Sequence, residues 1–136
     1  YTDTLDAVAR SLPALWRAEK VQKKASKAHF DWGNTQQPLE KVHEELGELE
    51  EAIAEGNLEH MMEEYGDLLF ASVNTARFMG VDPEDALNAA TEKFIRRFRQ
   101  VEQLSQARGQ ALDACSVDEL VALWKDAKHT LDDTNP

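Results

Sequence analysis

Residues 41–71 have the sequence KVHEELGELEEAIAEGNLEHMMEEYGDLLFA, which contains ten carboxylates but one lysine. Apolar residues recur with helical spacing on both sides of Gly56-Asn57, a pair that is typical of a helix end. The stretch therefore predicts two consecutive helices joined by a tight turn. Its dense negative charge has a simple interpretation, a solvated acidic face, and a more specific one, a metal site.

The rest of the chain also has the pattern of a helical protein. Gly and Pro are few, and alternating β-branched runs are absent. We expect one all-α domain over residues 1–136, with frayed termini at 1–10 and 130–136. The predicted helices cover residues 12–28, 38–55, 58–78, 83–106 and 117–129. Ser11 is expected to cap the first helix, and Ser116 with Glu119 forms a capping box before the last one.

Composition narrows the functional class. Asp and Glu number 26 against 15 Lys and Arg, so the formal net charge is −11, while 42% of residues are hydrophobic. Such a charge disfavours nucleic-acid polymers and anionic membranes as partners, and no apolar run is as long as a membrane span. One cysteine precludes an intrachain disulfide and favours the cytoplasm. Because the chain starts at Tyr1 rather than Met, we expect further sequence upstream.

Two pairs of carboxylates have the spacing of a divalent-cation site. Glu45 flanks the apolar stripe of its helix, and Glu48 lies one turn further along the same edge. Glu64 and Asp67 are likewise three residues apart, away from the main Met/Leu/Tyr stripe of the next helix. Antiparallel packing would bring the pairs face to face, which is unfavourable without a counter-charge. The sequence predicts that these four residues bind Mg²⁺, with Mn²⁺ as an alternative.

Other acidic and reactive residues carry weaker signals. Glu44 points away from the apolar stripe, as a solvated or helper carboxylate would. Glu40 and His43 form E-x-x-H, a motif of Fe/Mn carboxylate proteins, but no second copy follows, which favours a surface histidine. Cys115 has no neighbouring histidine to activate it. The remaining carboxylates that we assign to the solvated surface are Glu50, Glu51 and Glu55.

Basic and aromatic residues further along the chain suggest a phosphate-bearing ligand. Lys93 and Arg97 are i,i+4 partners on the predicted fourth helix and share one edge of it. A cationic pair beside a carboxylate–metal cluster suits a polyphosphate. Trp32 and Trp124 are expected in the core, with stacking on a nucleobase as the alternative.

These residues resemble a known family. Glu44-Glu45-x-x-Glu48 followed by Glu64-x-x-Asp67 is similar to the EExxE…ExxD signature of MazG-type nucleoside triphosphate pyrophosphohydrolases. The surrounding stretches resemble the carboxy-terminal catalytic domain of MazG over nearly the whole chain: LPALWRAEKVQKKASKAHFDW (12–32), EEYGDLLFASVNTARFMGVDPEDAL (63–87), EKFIRRFRQVE (92–102) and LVALWKDAK (120–128). The chain departs from residues that are frequent in the family at Tyr65, Thr91 and His60.

The resemblance implies an all-α fold whose four-helix bundle is completed by a homodimer, with a second MazG-like domain upstream in longer members. It implies Mg²⁺-dependent hydrolysis of NTPs and dNTPs, with broad base preference, to the monophosphate and pyrophosphate, in nucleotide housecleaning or starvation control. The residues that match the family's motifs are Glu45, Glu48, Glu64 and Asp67 for metal, Glu44 and Glu45 for catalysis, Lys93 and Arg97 for the triphosphate, and Trp124 for the base.

Two functions of other classes stay open on the residues alone. A non-catalytic acidic dimerisation module predicts no metal affinity and no thermal shift with Mg²⁺ plus nucleotide. An Fe/Mn carboxylate-bundle oxidoreductase predicts a transition metal that co-purifies with the protein.

Overall fold

The structure, a computed structural model, describes residues 5–33 and 36–134, with the side chains of 131–134 left out. These residues contain no β-strand, which confirms the all-α prediction. None of the helices they form is both long and apolar enough to cross a membrane. The elements in chain order are α1 (Ala14–Lys27), α2 (Gln36–Glu55), α3 (Leu58–Met79), α4 (Pro83–Ala107), a 3-10 turn (Leu112–Ala114) and α5 (Val117–Thr134).

Local chemistry fixes the ends of the helices that matter most for function. The Asn57 side chain accepts a hydrogen bond from the backbone N–H of His60 at 3.2 Å and so caps the start of α3. Gly80 ends α3 in the left-handed conformation, at φ 72°. The predicted capping box of α5 is confirmed. Ser116 Oγ accepts from the Glu119 N–H at 3.2 Å, and Glu119 Oε1 accepts from the Ser116 N–H at 3.1 Å.

Two of the predictions for the helix ends need correction. Ser11 does not cap α1, because Pro13 is the N-cap residue and no side chain bonds to the helix end. Val8 is only 4% exposed. The fraying of residues 1–10 and 130–136 stays a prediction. At the other end, α5 continues to Thr134, beyond its predicted end at residue 129. Residues 1–4, 135 and 136 lie outside the described part of the chain.

The chain divides into two compact units, residues 1–86 and 87–136. In the first unit α3 packs extensively against α2 and also contacts α1. Because two residues connect α2 to α3, these helices run antiparallel as a helical hairpin. In the second unit Val101, Leu123 and Ala127 form a buried core. The side chains that pack around this core are Leu104, Leu112, Cys115 and Trp124.

The packed face of α2 is not its most apolar face. Its members recur every three or four residues and are buried or half-buried: Pro38, Val42, Glu45, Leu49 and Ala52. Leu39, Leu46 and Ile53, which the sequence assigns to one apolar stripe with Val42 and Leu49, are between 43% and 57% exposed. At 100° per residue, the packed stripe is rotated about 60° from the apolar one, toward the carboxylates. Glu45 therefore lies within the helix interface rather than at its edge.

The same displacement occurs on α3. Glu64 lies on the stripe that is buried or half-buried, with Met61, Leu68, Ala71 and Thr75. Four exposed apolar side chains of this helix follow a parallel stripe of their own: Leu58, Met62, Tyr65 and Leu69. The hairpin thus turns its carboxylate-bearing faces inward and leaves two apolar stripes at its surface.

The difference between the two predicted caps has a measurable consequence. We expect Ser116→Ala to lower the free energy of unfolding by about 1 kcal/mol, because the substitution removes a side-chain cap. Ser11→Ala is the matched control and should change it by no more than a few tenths, since Ser11 caps no helix. Urea denaturation of both variants measures the difference. Equal losses in the two variants would contradict this assignment of the caps.

Candidate active site

Carboxylates converge in two overlapping groups on the hairpin of α2 and α3. One oxygen each from Glu45, Glu48 and Glu64 lies within 4.8 Å of the others. Glu63, Glu64 and Asp67 form a second such group, so that Glu64 belongs to both. The structure therefore brings together three of the four predicted ligands directly and joins Asp67 to them through Glu64. Sequence reasoning missed Glu63.

The first group has one buried member, Glu45, and two oxygens of the group lack hydrogen-bond partners among the described residues. Glu45 is 4% exposed, and its Oε2 atom has no hydrogen-bond partner among the described residues. The Oε2 atom of Glu64 is also buried without a partner there. Lys41 supplies a counter-charge, with its Nζ 3.0 Å from Glu45 Oε1. Buried carboxylate oxygens without partners are costly, and a bound cation would remove that cost.

The pKa of Glu48 reflects the same crowding of carboxylates. A hydrogen bond with Glu64 and the negative charge of Glu45 together raise the pKa of Glu48 to about 7, from an ordinary 4.5. In the absence of metal this carboxyl group therefore shares a proton with its neighbours near neutral pH.

The donor set fits a hard divalent cation. Mg²⁺ and Mn²⁺ both prefer carboxylate oxygens, and every member of the two groups is Glu or Asp. Among the described residues neither group contains histidine, which counts against the Fe/Mn oxidoreductase reading. Glu44 belongs to neither group. Its side chain is 57% exposed and lies 3.4 Å from the Nζ of Lys41.

A cavity of about 590 Å³ opens beside the carboxylates in the first unit. Glu45 and Asp67 form part of its wall, so the cavity and the carboxylate cluster share residues. The remaining wall comes from α1, the segment 28–33, α2 and α3. No motif in the sequence predicts this cavity, because its residues are scattered over positions 21–77.

An ion pair fixes the segment 28–33 to α3. Arg77 donates to both carboxylate oxygens of Asp31, at 2.9 and 2.5 Å, and to Asn74 Oδ1 at 3.2 and 2.7 Å. Hydrogen bonds from Arg77 hold the pKa of Asp31 well below its usual range. Trp32, the next residue, is 44% exposed, so the prediction that it lies in the core is wrong. Its backbone N–H donates to Asp31 Oδ1 at 2.8 Å, and the residue is part of the cavity wall.

The other predicted ligand-binding residues lie in the second unit. Lys93 is exposed, and the Arg97 guanidinium lies 5.9 Å from the ring centroid of Trp124. Trp124 packs against the core of that unit and contacts Phe94 at a ring separation of 5.1 Å, as the core prediction requires. Contact with triphosphate or base stays a prediction for Lys93, Arg97 and Trp124.

Comparison with known proteins agrees with this site. The MazG nucleotide pyrophosphohydrolase domain matches residues 34–102, which is half of the chain and includes every clustered carboxylate. The chain belongs to the MazG family. This confirms the family resemblance drawn from the EExxE and ExxD motifs.

Three relatives show how far the similarity extends. The nucleoside triphosphate pyrophosphohydrolase/pyrophosphatase MazG of Thermotoga maritima is 44% identical over 86% of this chain and 45% of its own length. The nucleoside triphosphate pyrophosphohydrolase of Escherichia coli K12 is 42% identical over 91% of this chain and 48% of its own. The uncharacterized protein YabN of Bacillus subtilis is 43% identical over 93% of this chain and 26% of its own length. The chain spans about half the length of the first two relatives and about a quarter of the third.

Glu48 makes the stability of this MazG-family chain depend on pH when no metal is bound. Its pKa is higher in the folded protein than in the unfolded chain, so the folded state binds the proton more tightly. That stabilisation is complete below the ordinary value of 4.5 and is lost as the pH rises through about 7. We therefore expect the Tm in EDTA to fall with pH over this interval, and to fall less in Glu48→Gln.

Thermal unfolding of both proteins at a series of pH values measures this effect. The difference between the curves isolates Glu48, because groups with a lowered pKa, such as Asp31, act in the opposite direction and are common to both. Parallel curves for the two proteins would show that Glu48 carries no such proton.

Proposed function

We propose that this chain is a nucleoside triphosphate pyrophosphohydrolase that uses Mg²⁺, or Mn²⁺ in its place, to convert NTPs and dNTPs to the monophosphate and pyrophosphate. The observation that carries the proposal is the convergence of Glu45, Glu48 and Glu64 with two buried oxygens that have no partner among the described residues. Family membership, and relatives named as enzymes of this activity, support it. A cytoplasmic location stays a prediction, as does a role in nucleotide housecleaning.

Each group has a distinct part in the proposed reaction. Glu45, Glu48, Glu64 and Asp67 hold the divalent cation, which when bound polarises phosphoryl oxygens and lowers the pKa of a water molecule. The water oxygen attacks a phosphorus of the α–β anhydride, and the bridging P–O bond breaks to give monophosphate and pyrophosphate. Glu44 or Glu45 accepts the proton of that water.

Cationic side chains balance the charge of the triphosphate in this proposal. Lys93 and Arg97 bind phosphate oxygens and stabilise the charge that develops on the leaving pyrophosphate. Lys41 lies at the carboxylate cluster, with its Nζ within 3.4 Å of both Glu44 and Glu45. It therefore orients these two carboxylates for proton transfer. Trp124 contacts the base in the family pattern.

We also propose a homodimer built on the outer face of the hairpin. Leu58 and Met62 of α3 are 77% and 80% exposed, and Leu39, Leu46 and Ile53 of α2 are also exposed. Apolar stripes of this length on a monomer mark an interface. Pairing two hairpins through these stripes would complete a four-helix bundle while leaving the carboxylate faces packed within each hairpin.

The metal cluster can be tested by isosteric substitution. We expect Glu48→Gln and Glu64→Gln each to lower Mg²⁺-dependent pyrophosphate release by roughly 10²–10³-fold, the scale for losing one preorganised electrostatic partner. Glu51→Gln is the matched control, because Glu51 lies exposed on the same helix outside both carboxylate groups. The assay uses a panel of NTPs and dNTPs with and without Mg²⁺, with monophosphate and pyrophosphate separated. Unchanged activity in both cluster variants would refute the assignment.

Charged substitutions in the exposed apolar stripe of α3 test the proposed dimer. We expect Leu58→Glu with Met62→Glu to halve the mass measured by sedimentation equilibrium, because two carboxylates per protomer would enter an apolar interface. Val117→Glu, at a site 75% exposed in the second unit, is the control and should sediment as the unmodified protein does. A monomeric unmodified protein, or a double variant that still dimerises, would overturn this interface.

A further inference from the structure

Segment 28–33 contributes to a cavity wall to which Glu45 and Asp67 also belong. The segment forms neither helix nor strand, so contacts with the neighbouring helices fix its position. We infer that Arg77 is a positioning residue of the proposed enzyme: through Asp31 it holds this segment in place and so preserves the affinity of the carboxylates for their cation. The inference rests on the proposed function, because it concerns the same carboxylate cluster.

The ion pair between Arg77 and Asp31 fixes the segment in one geometry. Two N–H groups of the guanidinium donate to the two carboxylate oxygens, at 2.9 and 2.5 Å. Asn74 Oδ1 accepts from Nε and Nη2 of Arg77, at 3.2 and 2.7 Å, and the ring centroid of Phe78 lies 4.6 Å from the guanidinium carbon. Contacts within α3 therefore orient the guanidinium. A bidentate arginine–carboxylate pair is directional as well as strong.

Apolar packing contributes little to the position of the segment. Phe30 and Trp32, its two large apolar residues, are 82% and 44% exposed. His29 has a φ of 65°, a left-handed conformation that is unfavourable for a residue with a Cβ atom. The side chains of Arg77 and Asp31 are, by contrast, only 14% and 21% exposed. The ion pair is therefore the contact that anchors the middle of the segment to α3.

The energetics of this ion pair favour a positioning role over a stabilising one. Removing two charges from water costs free energy that their attraction only partly offsets, so a poorly exposed pair adds little net stability. The pair does favour a unique arrangement, because displacement of the segment would separate two charges that are largely shielded from water. It joins residues 46 positions apart, so it determines how the chain after α1 lies against α3.

The carboxylates depend on this cavity wall because water weakens their attraction for a cation. Glu45 is only 4% exposed, although it belongs to the wall. Movement of segment 28–33 away from α3 would let water reach Glu45 and raise the effective dielectric constant around its oxygens. The attraction between these oxygens and a divalent cation would then be weaker. Loss of the ion pair should thus lower the affinity for the cation without removing any carboxylate of the cluster.

Two variants that leave opposite charges distinguish positioning from a direct effect of charge. Arg77→Met leaves the negative charge of Asp31 in the cavity wall, whereas Asp31→Asn leaves the positive charge of Arg77. A direct effect would strengthen cation binding in the first variant and weaken it in the second. Loss of position weakens binding in both. We expect both variants to raise the Kd of Mn²⁺, measured by calorimetry with the metal alone, by roughly 2- to 30-fold, the scale for residues that act without touching the ligand.

Hydrogen exchange of the metal-free protein measures the position of the segment directly. In both variants the backbone amides of residues 28–33 should exchange faster than in the unmodified protein. The amide of Ala52, which is 2% exposed in α2, should keep its rate. Equal acceleration at Ala52 would show a general loss of stability instead and would overturn the inference.

Arg108→Met is the matched control. It removes an arginine that pairs with Asp126 at 2.9 Å in the second unit and does not line the cavity. It should change neither the exchange of residues 28–33 nor the Kd of Mn²⁺. In the activity assay, pyrophosphate release at limiting Mg²⁺ should fall in Arg77→Met and Asp31→Asn and recover at saturating Mg²⁺, because the carboxylates themselves are intact.

The possible outcomes separate this inference from the function on which it rests. If the unmodified protein releases pyrophosphate from NTPs, and both variants bind Mn²⁺ as it does, the positioning role is refuted while the proposed function stands. Opposite changes in the two Kd values would also refute it, since charge alone would explain them. If the protein releases no pyrophosphate but both variants weaken Mn²⁺ binding, the positioning role holds for the metal site and the proposed function falls. A protein that binds no Mn²⁺ overturns both.

Discussion

The carboxylates of Glu45, Glu48 and Glu64 occupy an interface between α2 and α3 where helices ordinarily bury apolar side chains. A hydrogen bond with Glu64 and the negative charge of Glu45 raise the pKa of Glu48, and two of the carboxylate oxygens are buried without partners among the described residues. Replacing such a cluster with apolar residues would commonly stabilise a helix pair. The arrangement is therefore explained by binding chemistry rather than by stability, and the surrounding features follow from it.

One feature that follows is the position of the apolar side chains. The inward faces of the hairpin carry carboxylates. Much of the apolar surface of α2 and α3 therefore lies on the faces next to them and is exposed, as Leu39 of α2 and Leu69 of α3 are. The same hairpin thus has a polar interface within the chain and exposed apolar stripes on its outer faces. Hydrophobic burial between protomers would compensate for what the carboxylate interface lacks.

Sequence reasoning succeeded where the signal is local and failed where it depends on packing. The i,i+3 spacing of Glu45 with Glu48 and of Glu64 with Asp67 was enough to predict that these residues lie close together. The capping box of Ser116 was predicted from its residues in the same way. Lys41 lies one turn before Glu45, and this i,i+4 spacing could have predicted their ion pair, which was overlooked. The contact of Arg77 with Asp31 spans 46 residues and has no periodicity to reveal it.

Apolar periodicity also gave the wrong packed face. It cannot show that a helix will bury a glutamate in preference to leucine, because that choice depends on the packing of the neighbouring helix. The sequence did not predict the cavity wall for a related reason, since Phe30 and Trp32 belong to an irregular segment. Trp32 was consequently assigned to the core.

The hairpin that holds the carboxylates is one continuous stretch of chain, Gln36–Met79, closed by a two-residue turn. A cation bound there would link two helices that are already neighbours in sequence, so it would act on a single local unit of the structure. Amide protons of α2 and α3 would then exchange with solvent only when the metal dissociates, while those of α1 would keep their own rate. The exchange rate of each backbone amide would therefore show whether the metal is bound.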